Sequence, residues 1–409
     1  MQKQLRPQHG AASMDKLKRV LILSLITQLI TGIRCDCVTT FATICSTVDD
    51  VKTLGNEEWT ELIVGEEMCG KRTTIGRPRE HLAVETFTKS PNLRMLYLVE
   101  KVRNIEVGAF QTVGNLNYLK LYKNLIKVAA LGTFSGFRHL AMLDLQHNSI
   151  ENLATGCFAN SSIESIDVSN NLISSIATGV VDLPGLLRLS ISHNRLVHLA
   201  ERCFNEDLEH LDLSYNSLSH IDLGVLNGLK NLKTFILNHN KIKAIIPIPF
   251  LKKLQILDVS SNGVQHIEDK AFTDNLDLQE LYLNNNSIKY VSHTSFPTQS
   301  NLITLHLHRN LLTLLTGDLG NALPKLKHIT IGGNPWACSC LTIIQTYFNM
   351  KGIQFEQCDL THLTDGLNPV CYASGSRECV GNEHVEILKE DVSSFQSSYK
   401  CTFKPAAFN

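Results

Sequence analysis

An α/β repeat protein, a solenoid of short coils that each add one strand to a parallel sheet, is the fold class that three periodicities predict. Asparagine recurs at positions 124, 148, 171, 194, 216, 240, 262, 286, 310 and 334, in steps of 22 to 24 residues. Leucine or isoleucine recurs around each one. Leu140, Leu143, Leu145, Asn148 and Ile150 lie on an L-x-x-L-x-L-x-x-N-x-L template, and Leu302, Leu305, Leu307, Asn310 and Leu312 repeat it. A phenylalanine follows ten residues after several of the asparagines, at Phe134, Phe158, Phe204, Phe250, Phe272 and Phe296, with Val181 and Leu226 at the equivalent place. In-phase copies in this number do not arise by chance.

The template is that of leucine-rich repeats, and the resemblance implies a horseshoe-shaped solenoid with a parallel concave sheet and a disulfide-stapled cap at each end. Each repeat buries its apolar side only against its neighbours, so the array overrides the usual division of 409 residues into two or three domains. Formal net charge is -1 and there is no long basic run, which argues against nucleic acid as a partner.

From the N-terminus, Lys16, Lys18 and Arg19 precede an apolar run from Val20 to Ile33 and then Cys35. Residues 1–34 therefore read as a secretory signal, with Met14 as an alternative start. The run is shorter than the roughly 20 residues that span a bilayer. No later stretch is apolar enough to cross a membrane, and the tail carries no lipid-anchor signal, so a secreted, extracellular protein is expected. Residues 35–92 read as an N-terminal cap holding Cys35, Cys37, Cys45 and Cys69, whose pairing stays open.

Residues 93–334 carry the repeats. The first, Leu93, Leu96 and Leu98 followed by Val102, Ile105 and Phe110, fits only with one residue deleted and with Lys101 in the asparagine place. Within each repeat the alternating leucines predict a strand, because residues two apart share a face. The asparagine follows where the chain turns, its amide bonding neighbouring backbone, and the phenylalanines form a stacked, buried spine. Neither set is assigned to ligand binding.

Residues 335–409 hold Cys338, Cys340, Cys358, Cys371, Cys379 and Cys401. The stretch NPWACSCL, Asn334 to Leu341, resembles the C-terminal cysteine-rich flank of extracellular leucine-rich repeat proteins. That resemblance implies Cys338 with Cys358 and Cys340 with Cys379, leaving Cys371 and Cys401 as an extra bridge. Leu341, Ile344, Tyr347 and Phe348 recur at helical spacing and predict a short capping helix. A zinc reading of the C-x-C pairs is the weaker alternative, since thiolate sites prefer wider spacing and reducing compartments. Cys157 and Cys203 sit one place before a spine residue, and their repeats are two strand spacings apart, about 10 Å, too far for a mutual disulfide. They read as semi-buried free thiols, or as one exposed thiol that links the chain to a partner.

On the concave face, the residues six, four, two and one places before each asparagine are expected to face solvent. This grid is the candidate binding surface: Tyr118, Lys120, Tyr122, Arg188, Tyr215, Ile236, Tyr282, His306, His308, Arg309 and His328 are its chosen members, tyrosine and arginine because they dominate interface hot spots. Asp144, Asp167, Asp212 and Asp258 read as solvated scaffold, and His306, His308 and His328 as exposed histidines, with metal binding or acid sensing as the sharper alternative. Asn160 and Asn285 begin N-x-S sequons and are candidate glycan sites.

No G-x-S-x-G, H-E-x-x-H, phosphate loop, G-x-G-x-x-G or C-x-x-C motif is present, so no enzyme, metal or cofactor is expected. The array, signal and caps resemble the secreted leucine-rich-repeat immune proteins of insects, although the tail has no heptads of the kind many of those proteins carry. The resemblance implies a recognition protein binding an extracellular protein or microbial surface ligand. An adhesion or matrix protein, and a soluble form of a leucine-rich repeat receptor, are the alternatives.

Overall fold

The computed structural model describes the strands Cys37–Thr39 and Thr43–Cys45, and residues 58, 60–64, 81–98, 102–315, 317–355 and 371–372. The chain divides into two compact units, residues 1–173 and 174–409. Each is a stack of coils that contribute one strand apiece to a parallel sheet, the predicted fold class. The signal reading of residues 1–34, together with Cys35, Cys69, Cys358, Cys379 and Cys401, lies outside the described residues.

In the first unit an antiparallel hairpin places Cys37 opposite Cys45 and starts the sheet. Glu61–Val64, Met95–Leu98, Tyr118–Lys120, Met142–Asp144 and Ser165–Asp167 then follow in parallel register. Parallel pairing thus begins well upstream of Leu93, and the degenerate repeat is held in register without its asparagine. In the second unit the succession is Arg188–Ser190, His210–Asp212, Thr234–Ile236, Ile256–Asp258, Glu280–Tyr282, Thr304–His306, His328–Thr330 and Gln354–Phe355. Two-residue strands such as Val128–Ala129 with Asn152–Leu153, and Ala244–Ile245 with His266–Ile267, pair on the far side of the coils.

The middle residue of each main strand points into the coil, which is why leucine pairs with leucine: Leu119 faces Leu143, and Leu257 faces Leu281, all buried. Burying one such side chain contributes roughly 1.5–3 kcal/mol. The asparagines serve the backbone, as their position predicts. Asn148 donates through Nδ2 to the Leu121 and Leu145 carbonyls, both at 2.9 Å, while its Oδ1 accepts the Ile126 N–H at 3.1 Å. Asn310 repeats this with Leu283, Leu307 and Ile288. A turn that cannot form sheet bonds to the next coil is thereby satisfied by one side chain.

The spine is also present. Rings of Phe87, Phe110, Phe134 and Phe158 stack at 5.9–6.1 Å in the first unit, and Phe272 and Phe296 at 5.4 Å in the second. Phe250 departs from expectation and is only half-buried. In ordinary coils the spine N–H meets the carbonyl just before the next spine residue, as Phe134 meets Cys157; here Ile248 meets Ala271 instead. Pro247 and Pro249 shorten that segment, so Ile248 takes the spine position.

Cys157 and Cys203 are free and fully buried at 0% exposure, which corrects both sequence readings, semi-buried and exposed. Burial pushes each thiol up to about 12. Neither sulfur is placed to link a partner.

At the C-terminal end the helix Cys338–Met350 forms as predicted, burying Cys340, Leu341, Ile344 and Phe348, while the Tyr347 hydroxyl donates to Asn321 Oδ1 at 3.0 Å. The implied pairing of Cys338 does not hold. Trp336–Ala337 pairs with Cys371–Tyr372 as a short parallel ladder, bringing the Cys371 Cα to 4.9 Å from that of Cys338, and these two form the disulfide. Cys371 is therefore not bridged to Cys401, nor Cys338 to Cys358. Cys340 is also disulfide-bonded.

Candidate binding surface

In the first unit, the sheet face is aromatic and basic over two coils. Tyr118, Lys120 and Tyr122 are half-buried and Lys123 is exposed. The Lys123 Nζ lies 5.1 Å from the Tyr122 ring centre, and the Lys120 Nζ lies 5.3 Å from that of Tyr97. Tyr97 belongs to the degenerate repeat, so the missing asparagine hid it from the grid; its register opposite Lys120 identifies it, and it is buried beneath that lysine. His147 meets Tyr122 edge-on at 5.2 Å.

In the second unit the same face is more enclosed. Arg188 is exposed, Tyr215 is 43% exposed, and Tyr282, Arg309 and His328 are half-buried, but Ile236 is buried. Its strand sits in register between those of Asp212 and Asp258, whose side chains flank it. His306 and His308 are likewise not exposed: both Nδ1 atoms reach Thr330 Oγ1, at 3.2 and 2.8 Å, and the Tyr282 ring stacks on His306 at 4.6 Å. Burial, with His328 nearby, lowers His306 to about 4. Burial, with His306 and Arg309, lowers His308 to about 3. These rings are neutral at physiological pH, and among the described residues no group of three or more His, Cys, Asp or Glu is placed to hold a metal ion.

The strand aspartates are scaffold of a different kind from the one expected. Asp144, Asp167, Asp212 and Asp258 each accept the N–H two residues on, at 2.9–3.1 Å, and Asp144 and Asp258 are buried rather than solvated. Burial raises Asp144 above the usual carboxylate range against the bond from Gln146. The position two before the asparagine is buried as well, at Ser169, Ser192, Ser214, Asn238, Ser260, Asn284 and His308. Rows of side chains spaced at the roughly 4.8 Å strand separation cover one another.

The row that does reach solvent is the one just before each asparagine. Lys123, His147, Asn170, His193, Tyr215, His239, Ser261, Asn285 and Arg309 all take a left-handed φ of 52–57°. Each reverses the chain out of its strand. Along this row His193, Tyr215 and His239 stack at 4.0 and 4.1 Å, nearly parallel at 11° and 14°. Ring residues before three successive asparagines were the sequence signal for this ladder. Burial, together with His193, lowers His239 against the pull of Asp258. Of the two sequon asparagines, Asn160 is exposed and Asn285 is half-buried, both at positive φ.

A family model described as leucine rich repeat matches residues 91–150, 138–196, 184–242, 252–297 and 277–335, more than half of the chain. Tsukushi of Gallus gallus is 33% identical over 138 residues, 27% of this chain and 37% of that protein. Lumican of Rattus norvegicus is 29% identical over 156 residues, 37% of this chain and 44% of that protein. The chain thus spans less than half the length of either relative. In fold it is similar to the structure of the Toll–Spatzle complex of Drosophila, with a TM-score of 0.62 and 21% identity over 76% of this chain and 42% of that one. No helix among the described residues is long and apolar enough to cross a membrane. With its buried asparagines, its leucine ladder and five stretches of family match in agreement, the chain belongs to the leucine-rich repeat family.

Proposed function

We propose that the chain is a secreted, non-enzymatic recognition protein that binds an extracellular protein or microbial surface ligand through the sheet face and its turn row, in innate immunity. The observation that carries the reading is the side-chain set at that surface: tyrosine, histidine, lysine and arginine on a backbone already fixed by asparagine and aspartate bonds. Tyrosine offers a large, rigid contact area at little entropic cost because it has only two χ angles, and tyrosine and arginine are enriched among hot spots. The immune assignment rests on the resemblance to secreted insect proteins given above. Glycans at Asn160 and Asn285 belong to the same proposal.

Similarity to Lumican and Tsukushi favours a second reading, an extracellular adhesion or matrix protein. Likeness in fold to Toll points to a third, the soluble form of a receptor. Expression induced by infection separates the first from the second, whose expression follows tissue.

Binding of the immobilised protein to intact bacteria and to purified extracellular matrix tests the proposal. Lys120→Glu with Tyr122→Ala in one unit, or Arg188→Glu with Tyr215→Ala in the other, is expected to weaken capture at least tenfold. Leu131→Asp, at an exposed residue of the far side, leaves it unchanged. Capture indifferent to both sheet-face variants sinks the reading.

A further inference from the structure

The aromatic ladder of the second unit stops at a change of side chain while the backbone beneath it continues unchanged. His193, Tyr215 and His239 hold φ of 52–54°, and their N–H groups donate to the carbonyls of Ser214, Asn238 and Ser260 in the following coil. The turn backbone is thereby clamped at the coil spacing, and the rings above it must stack. Ser261 continues the row with φ 53° and the same bond, to Asn284 at 2.9 Å, but carries no ring. Beyond it stands Asn285, whose Nδ2 lies 3.4 Å from Ser261 Oγ.

From His239 to Asn285 is therefore two coil steps, roughly 9.6 Å at the usual strand separation. An aromatic ring needs about 3.5 Å on each side, so one ring fits, and only one. The inner face of His239 is covered by Tyr215; among the described residues no further ring stacks on its other face. An aliphatic group would bury area there. A flat ring also gains the offset-stacking preference, roughly 0.5–1.5 kcal/mol.

The geometry points to a docking slot for a single aromatic side chain of a protein partner, seated over Ser261, stacked on the outer face of His239 and bounded by Asn285. This rests on the proposed reading that the surface binds a protein, and it names the anchor group that such a partner brings. The slot is one rung of a ladder the chain has otherwise filled itself. It follows that filling the rung from within excludes the partner's ring.

Saturation-transfer NMR on the full chain, with N-acetyl-tryptophanamide as the probe, tests this. Ser261→Tyr and Ser261→His fill the rung, and the φ of 53° is the one Tyr215 already adopts, so the backbone has precedent for either. Ser261→Ala leaves the rung open. All are prepared with and without Asn285→Gln, so that a glycan beside the slot does not decide the result. Transfer to the indole protons is expected in the wild type and in Ser261→Ala, and at least fivefold weaker in the filled variants. Should one filled variant lose the wild-type thermal unfolding midpoint, the other decides. Absence of transfer in the open forms, or undiminished transfer in the filled ones, overturns the slot. Capture of bacteria or matrix is read separately through Lys120 and Arg188, so failure of the slot and failure of the binding reading are distinguishable.

Discussion

The two units are built on one template yet use their sheet faces differently. In residues 1–173 the face carries lysines resting on tyrosine rings, and Tyr118, Lys120 and Tyr122 are half-buried. In residues 174–409 the equivalent positions close over themselves: Ile236, Asp258, His306, His308 and Thr330 are buried, and contact chemistry moves out to the turn row. Burial at a repeat position is thus decided by the neighbours on the adjoining strands, and not by the position alone. A repeat grid says where a side chain starts; its neighbours decide where it ends.

The largest effects should come from what the units share. Asn310→Ala leaves the Leu283 and Leu307 carbonyls and the Ile288 N–H without a side-chain partner in a fully buried site, for a cost of roughly 3–5 kcal/mol, read as a lower urea midpoint. Phe134→Ala should cost a similar 3–5 kcal/mol, roughly, by opening a cavity in the spine. Phe250→Ala should cost under about 1.5 kcal/mol and Ile248→Ala roughly 2–4. Equal losses at Phe250 and Ile248 would show that Phe250 shares the spine position in that coil.

Acid separates the units. His306 and His308 titrate below the ordinary 6.5 in the fold, so between pH 6.5 and about 4 the unfolded chain takes up protons that the folded chain refuses. Stability is whole above pH 6.5 and falls as the pH drops, by roughly 3 kcal/mol per ring. Hydrogen exchange at pH 5 against pH 7.5 should show opening in coils around residues 283–331, with residues 118–168 less affected. His308→Asn keeps a polar group near Thr330 but does not titrate, and should flatten part of the slope. An acid response confined to the first unit would break the comparison. The smallest effect is expected at Lys120→Ala, about 0.5–1 kcal/mol from the lost contact with Tyr97, measured in the same urea titration.

Sequence pattern made the coil legible because every coil solves the same local problem. Leucines alternate with a period of two, the asparagine marks the turn, and Leu341 to Phe348 show a helical stripe, so strands, ladder and capping helix were all expected. What escaped was non-local. His308 looks exposed until the Thr330 hydroxyl one coil away is placed beside it. Cys371 lies 33 residues from Cys338, and only the small ladder with Trp336 brings them together. Phe250 kept the right number while two prolines changed the path. The aromatic ladder was within reach, since His193, Tyr215 and His239 precede successive asparagines, but stacking needs the shared backbone angle as well as the spacing.

That shared angle has a consequence for how such a chain can change. A non-glycine residue at φ near 55° is ordinarily uncommon outside Asn, Asp and His, yet within this one chain the position is held by Lys, His, Asn, Tyr, Ser and Arg. The backbone bond to the next coil sets the angle, and the identity of the side chain does not. The row therefore behaves as a line of type on a fixed frame, where letters can be exchanged one at a time while the page holds its shape.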